Sequence, residues 1–222
     1  MTWRSGCSVT GKNLIIAMDT KLRPGRLIAF EGIDGTGKST QIQLLAATLR
    51  EMGYQVVTTF EPTDGEFGQR IRQLFESRDT VSREEELALF MADRRQHVSR
   101  VIAPALAAGR IVLTDRYYFS TAAYQGANGM DPAEILRQNE VFAPRPDLVV
   151  QIQLPVAVSL QRIKQLRGET PNSFEQEAYL EQVAAIFDGL PGDFIVRIDG
   201  QGTPARIREL ILAEVLRRLD PN

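Results

Sequence analysis

Five short apolar runs punctuate this chain, at residues 27–30 (LIAF), 54–60 (YQVVTTF), 110–115 (RIVLTD), 147–154 (DLVVQIQL) and 193–199 (DFIVRID). Each is short, bounded by polar or turn-forming residues and mostly rich in β-branched positions, so each reads as a strand. Around them apolar residues recur at three- and four-residue spacing, which predicts helices over 41–50, 66–77, 83–108, 132–142, 156–166, 174–188 and 204–219. Alternation of this kind predicts an α/β domain: a five-stranded parallel sheet with crossover helices on both faces. Its ligands gather at the carboxyl ends of the strands. Residues 1–24 share none of this periodicity and read as an N-terminal extension, non-native or disordered, before a single domain over 25–222. Either Met18 is the natural start or residues 1–17 form a loose tail, and lost activity or stability on deleting them would overturn both readings.

The first strand runs into the most informative segment. Residues 26–40 (RLIAFEGIDGTGKST) fit the spacing GxxxxGK[ST] from Gly32 to Ser39, between a predicted strand and a predicted helix. Gly32, Gly35 and Gly37 let the backbone turn through φ values that other residues avoid. Successive N–H groups of Ile33, Asp34, Gly35, Thr36, Gly37 and Thr40, with the helix N-terminus, then point at a polyphosphate. Lys38 reaches the outer phosphates and the Ser39 hydroxyl holds Mg²⁺, so a nucleoside triphosphate is the expected ligand. A glycine turn before an ordinary helix would spell similarly, but the flanking strand and helix favour the phosphate cradle.

Composition changes this picture little. A length of 222 residues, 43% hydrophobic and 24% charged, suits one globular core. A net charge of -2 gives no global electrostatic reason to expect nucleic acid or an anionic membrane as partner. The single Cys7 excludes an internal disulfide and suits a reducing compartment. No apolar run has the length of a membrane span, and residues 14–18 (LIIAM) are too short for a signal-peptide core, so a cytoplasmic location is expected. His97, the only histidine, lies in a charged stretch and reads as solvated.

Three further clusters fall at strand ends or on the helices after them. Asp115 and Arg116 follow the third strand, where a carboxylate can serve a Mg²⁺ shell and a guanidinium can grip a phosphate through two bonds. Residues 61–65 (EPTDG) follow the second strand and alone spell a turn. Residues 160–175, between two predicted helices, carry Arg162, Lys164 and Arg167, which suit either a lid closing over a nucleotide or a solvated loop.

Together these residues resemble the thymidylate kinase family of nucleoside-monophosphate kinases, from about Arg26 to the C-terminus. FEGIDGTGKST resembles that family's phosphate loop, with Asp34 at its acidic position near the metal and the sugar 3′-hydroxyl. LFMADRRQHVSRVIAPAL at 89–106 resembles its long helix, Phe90 matching the residue that stacks on thymine and Arg94 the arginine at the base. DRYYFSTAAYQG at 115–126 is the most specific match: Arg116 corresponds to the acceptor-phosphate arginine, Thr121 and Gln125 to polar contacts with the base, and Tyr124 to the tyrosine beside the sugar 2′ position. The resemblance implies a three-layer α/β/α kinase fold with a short lid at about 162–175. It also implies phosphorylation of thymidine monophosphate by ATP and Mg²⁺, catalysis by Lys38, Arg116, Asp34 and a lid arginine, metal contacts from Ser39, Asp115 and Glu175, and a homodimer packed through helices. A kinase for another deoxynucleoside monophosphate and a nucleotide-binding paralogue with little transfer are the alternatives.

The chain departs from the family at three places. Phe60 stands where many bacterial relatives have an arginine directed at the acceptor phosphate. Asn172 and Ser173 precede Phe174 and Glu175 where relatives have Asp-Arg, so Arg167 is the expected replacement in the lid. Thr36 occupies a loop position that is basic in some relatives.

Overall fold

The structure, a computed structural model, describes residues 24–77, 81–167 and 173–219, with side chains described over 24–75, 81–165 and 177–219. The N-terminal segment 1–23 and the side chains of Arg167, Ser173, Phe174 and Glu175, together with Asn172, therefore lie outside the described residues.

Five parallel strands form one sheet in the order β2-β3-β1-β4-β5, comprising β1 (Arg26–Glu31), β2 (Val56–Phe60), β3 (Ile111–Asp115), β4 (Leu148–Gln153) and β5 (Ile195–Asp199). Alternate side chains of β1 enter opposite layers, as the two-residue period of a strand requires. Ile28 and Phe30 pack with Ile42, Leu45 and Leu49 of α1 (Lys38–Glu51) and with Ile207, Ile211 and Val215 of α9 (Pro204–Leu219). Leu27 and Ala29 pack on the other face with Phe119 and Ala123 of α5 (Tyr118–Ala127) and with Leu180, Val183 and Phe187 of α8 (Ser173–Gly189). Both faces of the sheet are thus covered, which is why the central strands β1, β3 and β4 are buried along nearly their whole length, while the edge strands β2 and β5 keep polar, exposed positions.

This layering positions the site. The chain leaves β1 into α1 on one face and leaves the neighbouring β3 into α5 on the other. A crevice opens outside the carboxyl ends of β1 and β3, where strand connections diverge. The predicted strands all appear, as do the helices α2 (Glu66–Ser77), α6 (Pro132–Glu140) and α7 (Val156–Arg167) close to their expected limits.

Two expectations need correction. The helix expected over 83–108 is interrupted: α3 (Arg83–His97) passes through a π-helical turn at Val98–Ile102 before α4 (Ala103–Ala107). Pro104 has no N–H and its ring crowds the carbonyl four residues back, so widening the turn just before it relieves the clash. Helix α5 was not expected. Most of its residues are buried, so it has no polar stripe to give a helical period.

Candidate active site

The glycine loop is built as its spelling requires. Gly32, Gly35 and Gly37 have φ of 130°, 80° and 94°. A Cβ would stand 2.5 Å from the Ile152 carbonyl oxygen at Gly32 and 2.7 Å from that of Ser159 at Gly35, so close approach as well as torsion demands glycine at both. Gly37 caps α1 with open space around it. Beneath the turn, Thr36 Oγ1 donates to the Ile33 carbonyl at 3.0 Å. Lys38 opens α1 and its Nζ donates to the Gly32 and Ile33 carbonyls at 3.0 and 2.9 Å. Burial and the neighbouring Arg116 charge lower its ammonium to about 8, against the pull of Asp115, Asp34 and Glu31. Asp34, Gly35, Gly37, Lys38, Ser39 and Thr40 line a cavity of about 820 Å³ that reaches the end of β2.

Ser39 Oγ donates to Asp115 Oδ2 at 2.5 Å. A hydroxyl and a carboxylate beside a phosphate cradle are hard oxygen donors of the kind Mg²⁺ takes when phosphates complete its shell. The pair fits that ion. No cluster of three His, Cys, Asp or Glu side chains placed to hold a metal occurs among the described residues.

Arg116 follows β3 with φ of 70°, a left-handed backbone unusual for a side chain of its size. Its N–H closes onto the Phe30 carbonyl at 2.9 Å, tying the turn to β1. The guanidinium donates to Asp34 Oδ1 at 2.8 Å, to Ser120 Oγ at 2.8 Å and to Tyr124 Oη at 3.3 Å. Glu31, fully buried, underpins this arrangement. It accepts from the N–H groups of Tyr117 and Ser120 at 2.8 and 3.3 Å and from Ser120 Oγ at 2.5 Å, so a carboxylate from β1 caps α5. Burial raises its carboxyl to about 7, partly offset by Ser120 and by the charge on Arg116.

A second cavity, of about 530 Å³, opens beyond Arg116 and is lined by Phe75, Phe90, Arg94, Thr121, Tyr124 and Gln125 among others. The structure therefore brings five of the expected acceptor residues to one wall with Arg116. Phe60 is not with them: it ends β2, half exposed, and faces the glycine-loop cavity. Of the expected lid, Arg162 donates to the Gly200 carbonyl at 3.1 Å, and Lys164 is exposed on α7.

Arg94 is 1% exposed and held from three sides. Its Nε and Nη2 donate to Glu61 Oε2 at 2.9 and 2.6 Å, Nη1 to Asn139 Oδ1 at 2.7 Å, and Nη2 also to Thr121 Oγ1 at 2.9 Å. Four of its five N–H groups are thus engaged, one Nη1 hydrogen remaining. His97 corrects the expectation of a solvated residue: it is 3% exposed, with Nδ1 2.9 Å from Glu61 Oε1 and Nε2 2.6 Å from Thr59 Oγ1. It lies three residues after Arg94 on the buried face of α3, where the surrounding charges misled the reading. Burial alone would raise the Glu61 carboxyl, but Arg94 and His97 hold it below the usual carboxylate range. Gln125 Oε1 is buried without a hydrogen-bond partner among the described residues.

Sequence reasoning missed Glu31, Asn139 and Phe75 as parts of this site, and noted Glu61 only within a strand-end turn. Glu31 and Glu61 had a signal, since each is an acid placed directly after an apolar strand run. Asn139 and Phe75 had none beyond helical spacing.

Two adjoining cavities, one at a glycine loop on a strand-to-helix turn and one aromatic, share Asp34, Glu61 and Arg116 at their boundary. That arrangement defines a phosphate-loop protein built to bring two nucleotides together, the class of the nucleotide kinases. Comparison with known proteins narrows the class. The sequence profile of the thymidylate kinase family matches residues 30–211, and the chain belongs to the thymidylate kinase family. It is 52% identical over 192 residues to a thymidylate kinase of Desulfotalea psychrophila, covering 86% of this chain and 95% of the relative. Identity is 49% over 193 residues to that of Akkermansia muciniphila, covering 85% and 92%, and 44% over 207 residues to that of Xanthomonas euvesicatoria, covering 91% and 90%.

Proposed function

We propose that the chain transfers the γ-phosphoryl group of ATP to the phosphate of thymidine monophosphate, releasing ADP and thymidine diphosphate. The observation that carries this reading is the shared boundary: Asp34 and Arg116 line both cavities, so a triphosphate tail along the loop and a monophosphate in the aromatic cavity meet at one guanidinium. An oxygen of the acceptor phosphate attacks the γ-phosphorus as the bond from that phosphorus to the ADP oxygen breaks in line with it. Such transfer rests on positioning and charge neutralisation. Loop N–H groups and Lys38 grip the donor phosphates, and Arg116, braced by Asp34, Ser120 and Tyr124, orients the acceptor. The acceptor phosphate is largely ionised at neutral pH, so no general base is needed. Ser39 and Asp115 would hold Mg²⁺, which when bound neutralises charge on the phosphate oxygens; Glu175 is a further candidate contact.

Features of the aromatic cavity support thymine as the base. Phe90 offers a ring face for stacking. Gln125 Oε1 is an acceptor in want of an N–H, and Arg94 retains one donor for a carbonyl. Tyr124, beside Arg116, crowds the position a 2′-hydroxyl would take. A methyl group is worth only about 1 to 3 kcal/mol to a hydrophobic pocket, so discrimination against uracil is expected to be modest. Initial rates of ADP release across a panel of nucleoside monophosphates test the assignment: thymidine monophosphate should give the highest kcat/KM, and preference for a purine acceptor would sink it.

Arg167 completes the clamp in this reading. A transition-state arginine contributes about 10³ to 10⁵ in rate, so Arg167→Ala should reduce turnover well beyond threefold. A smaller effect removes Arg167 from the mechanism.

The chain acts in the cytoplasm as a homodimer. In support, no helix among the described residues is long and apolar enough to cross a membrane. Leu87, Val98, Ile102 and Ala105 are buried within the chain, which leaves the opposite side of the long helix, with Ala88, Ser99 and Ala103, open to a second copy. Light scattering should give twice the chain mass; the mass of one chain would overturn the dimer.

A further inference from the structure

The acceptor cavity is held by a chain of hydrogen bonds that starts outside it. Arg94 is enclosed, and an enclosed guanidinium stays in place only if its charge is matched and its donors are filled. Glu61 Oε2 takes two of those donors, which leaves the orientation of the carboxylate to whatever grips its other oxygen. That grip is His97, whose Nδ1 lies 2.9 Å from Oε1. Glu61, kept ionised by Arg94, can only accept, so Nδ1 carries the proton. In the neutral ring Nε2 is then an acceptor, and the Thr59 hydroxyl, 2.6 Å away, donates to it.

The geometry of this relay follows from sequence spacing. Thr59 and Glu61 are two apart at the end of β2 and therefore face the same side. Arg94 and His97 are three apart on α3 and share a helix face. The two pairs interlock across the gap between β2 and α3, and nothing else among the described residues bonds Glu61 Oε1.

We propose that His97 is a positioning residue for acceptor recognition: it fixes the Glu61 carboxylate, and through it the Arg94 guanidinium that faces the base, while Thr59 fixes the ring. This rests on reading the aromatic cavity as the thymidine monophosphate site. With His97 removed, Oε1 becomes a buried acceptor without a donor, the carboxylate turns to find one, and Arg94 loses its alignment with Thr121 and the cavity. Thr59 and Glu61 also border the glycine-loop cavity, but the glycine loop and Lys38, which grip the donor phosphates, take no part in the relay, so donor binding should change far less than acceptor binding.

The test uses the full chain with three substitutions, measuring KM for each substrate separately, kcat and thermal unfolding. His97→Phe keeps the ring and removes both nitrogens; it should raise KM for thymidine monophosphate about tenfold, with KM for ATP within about twofold of the parent. His97→Asn restores a donor near Nδ1 and should recover most of the loss. Thr59→Val, nearly isosteric and only half buried, should shift the acceptor KM in the same direction by about threefold without lowering the unfolding temperature appreciably. An acceptor KM within about twofold of the parent in His97→Phe and Thr59→Val, or equal changes in both KM values, overturns the proposal. A parent enzyme that does not turn over thymidine monophosphate overturns instead the acceptor assignment on which it rests.

Discussion

Glu31 ends the central strand with its carboxylate wedged among the Tyr117 N–H, the Ser120 N–H and the Ser120 hydroxyl. Burial is its largest influence and raises its titration from 4.5 to about 7. Between those values the folded chain holds the proton more tightly than the unfolded chain, so the unfolded state binds fewer protons and stability falls as pH rises through that window. Glu31→Gln cannot titrate, and its urea-unfolding free energy should lose that downward slope; an unchanged slope would show that another group sets it. The residue scale is also where sequence was least sufficient. Lys38, Ser39 and Arg116 could be found because their neighbours spell a known phosphate loop and strand end. Glu61 and His97 could not be paired in advance, being 36 residues apart and joined only once β2 and α3 come together. A charged sequence neighbourhood said nothing about which face of α3 His97 would occupy.

Helix α3 carries both Phe90 and Arg94, so its start matters to the acceptor cavity. Ser82 caps it reciprocally: Ser82 Oγ accepts from the Glu85 N–H at 3.2 Å and Glu85 Oε2 accepts from the Ser82 N–H at 2.9 Å. Ser82→Ala should cost about 0.5 to 2 kcal/mol of unfolding free energy in urea, without changing KM for ATP. No loss would show that packing against α2 alone fixes the helix. The elements legible in sequence were those with one polar face, such as α9, whose Ile207, Ile211 and Val215 recur every four residues. Helix α5 lacks that signal because it is buried nearly all round, and its cap, Glu31, lies 86 residues from Tyr117. The resemblance carried its residues, 118–127, where periodicity could not. Pro104 was visible throughout, but only the structure shows the chain absorbing it in a π turn rather than ending the helix.

At the scale of the whole molecule, strand order is what makes the enzyme possible. Because α1 and α5 leave neighbouring strands toward opposite faces, the glycine loop and Arg116 emerge side by side, and the donor and acceptor cavities share a wall. Alternating strands and helices made the parallel sheet legible, since only crossovers can join strands in that way. The order β2-β3-β1-β4-β5 was not, because short apolar runs do not name their neighbours. If the two cavities work together as proposed, ATP turns over only when a monophosphate lies against Arg116. The initial rate of ADP release, measured with ATP and Mg²⁺ before and after adding thymidine monophosphate, tests it most directly. Release should be negligible before addition and rise saturably afterwards, by about 10³-fold or more given what acceptor positioning contributes. ATP turnover that does not rise with thymidine monophosphate would contradict it.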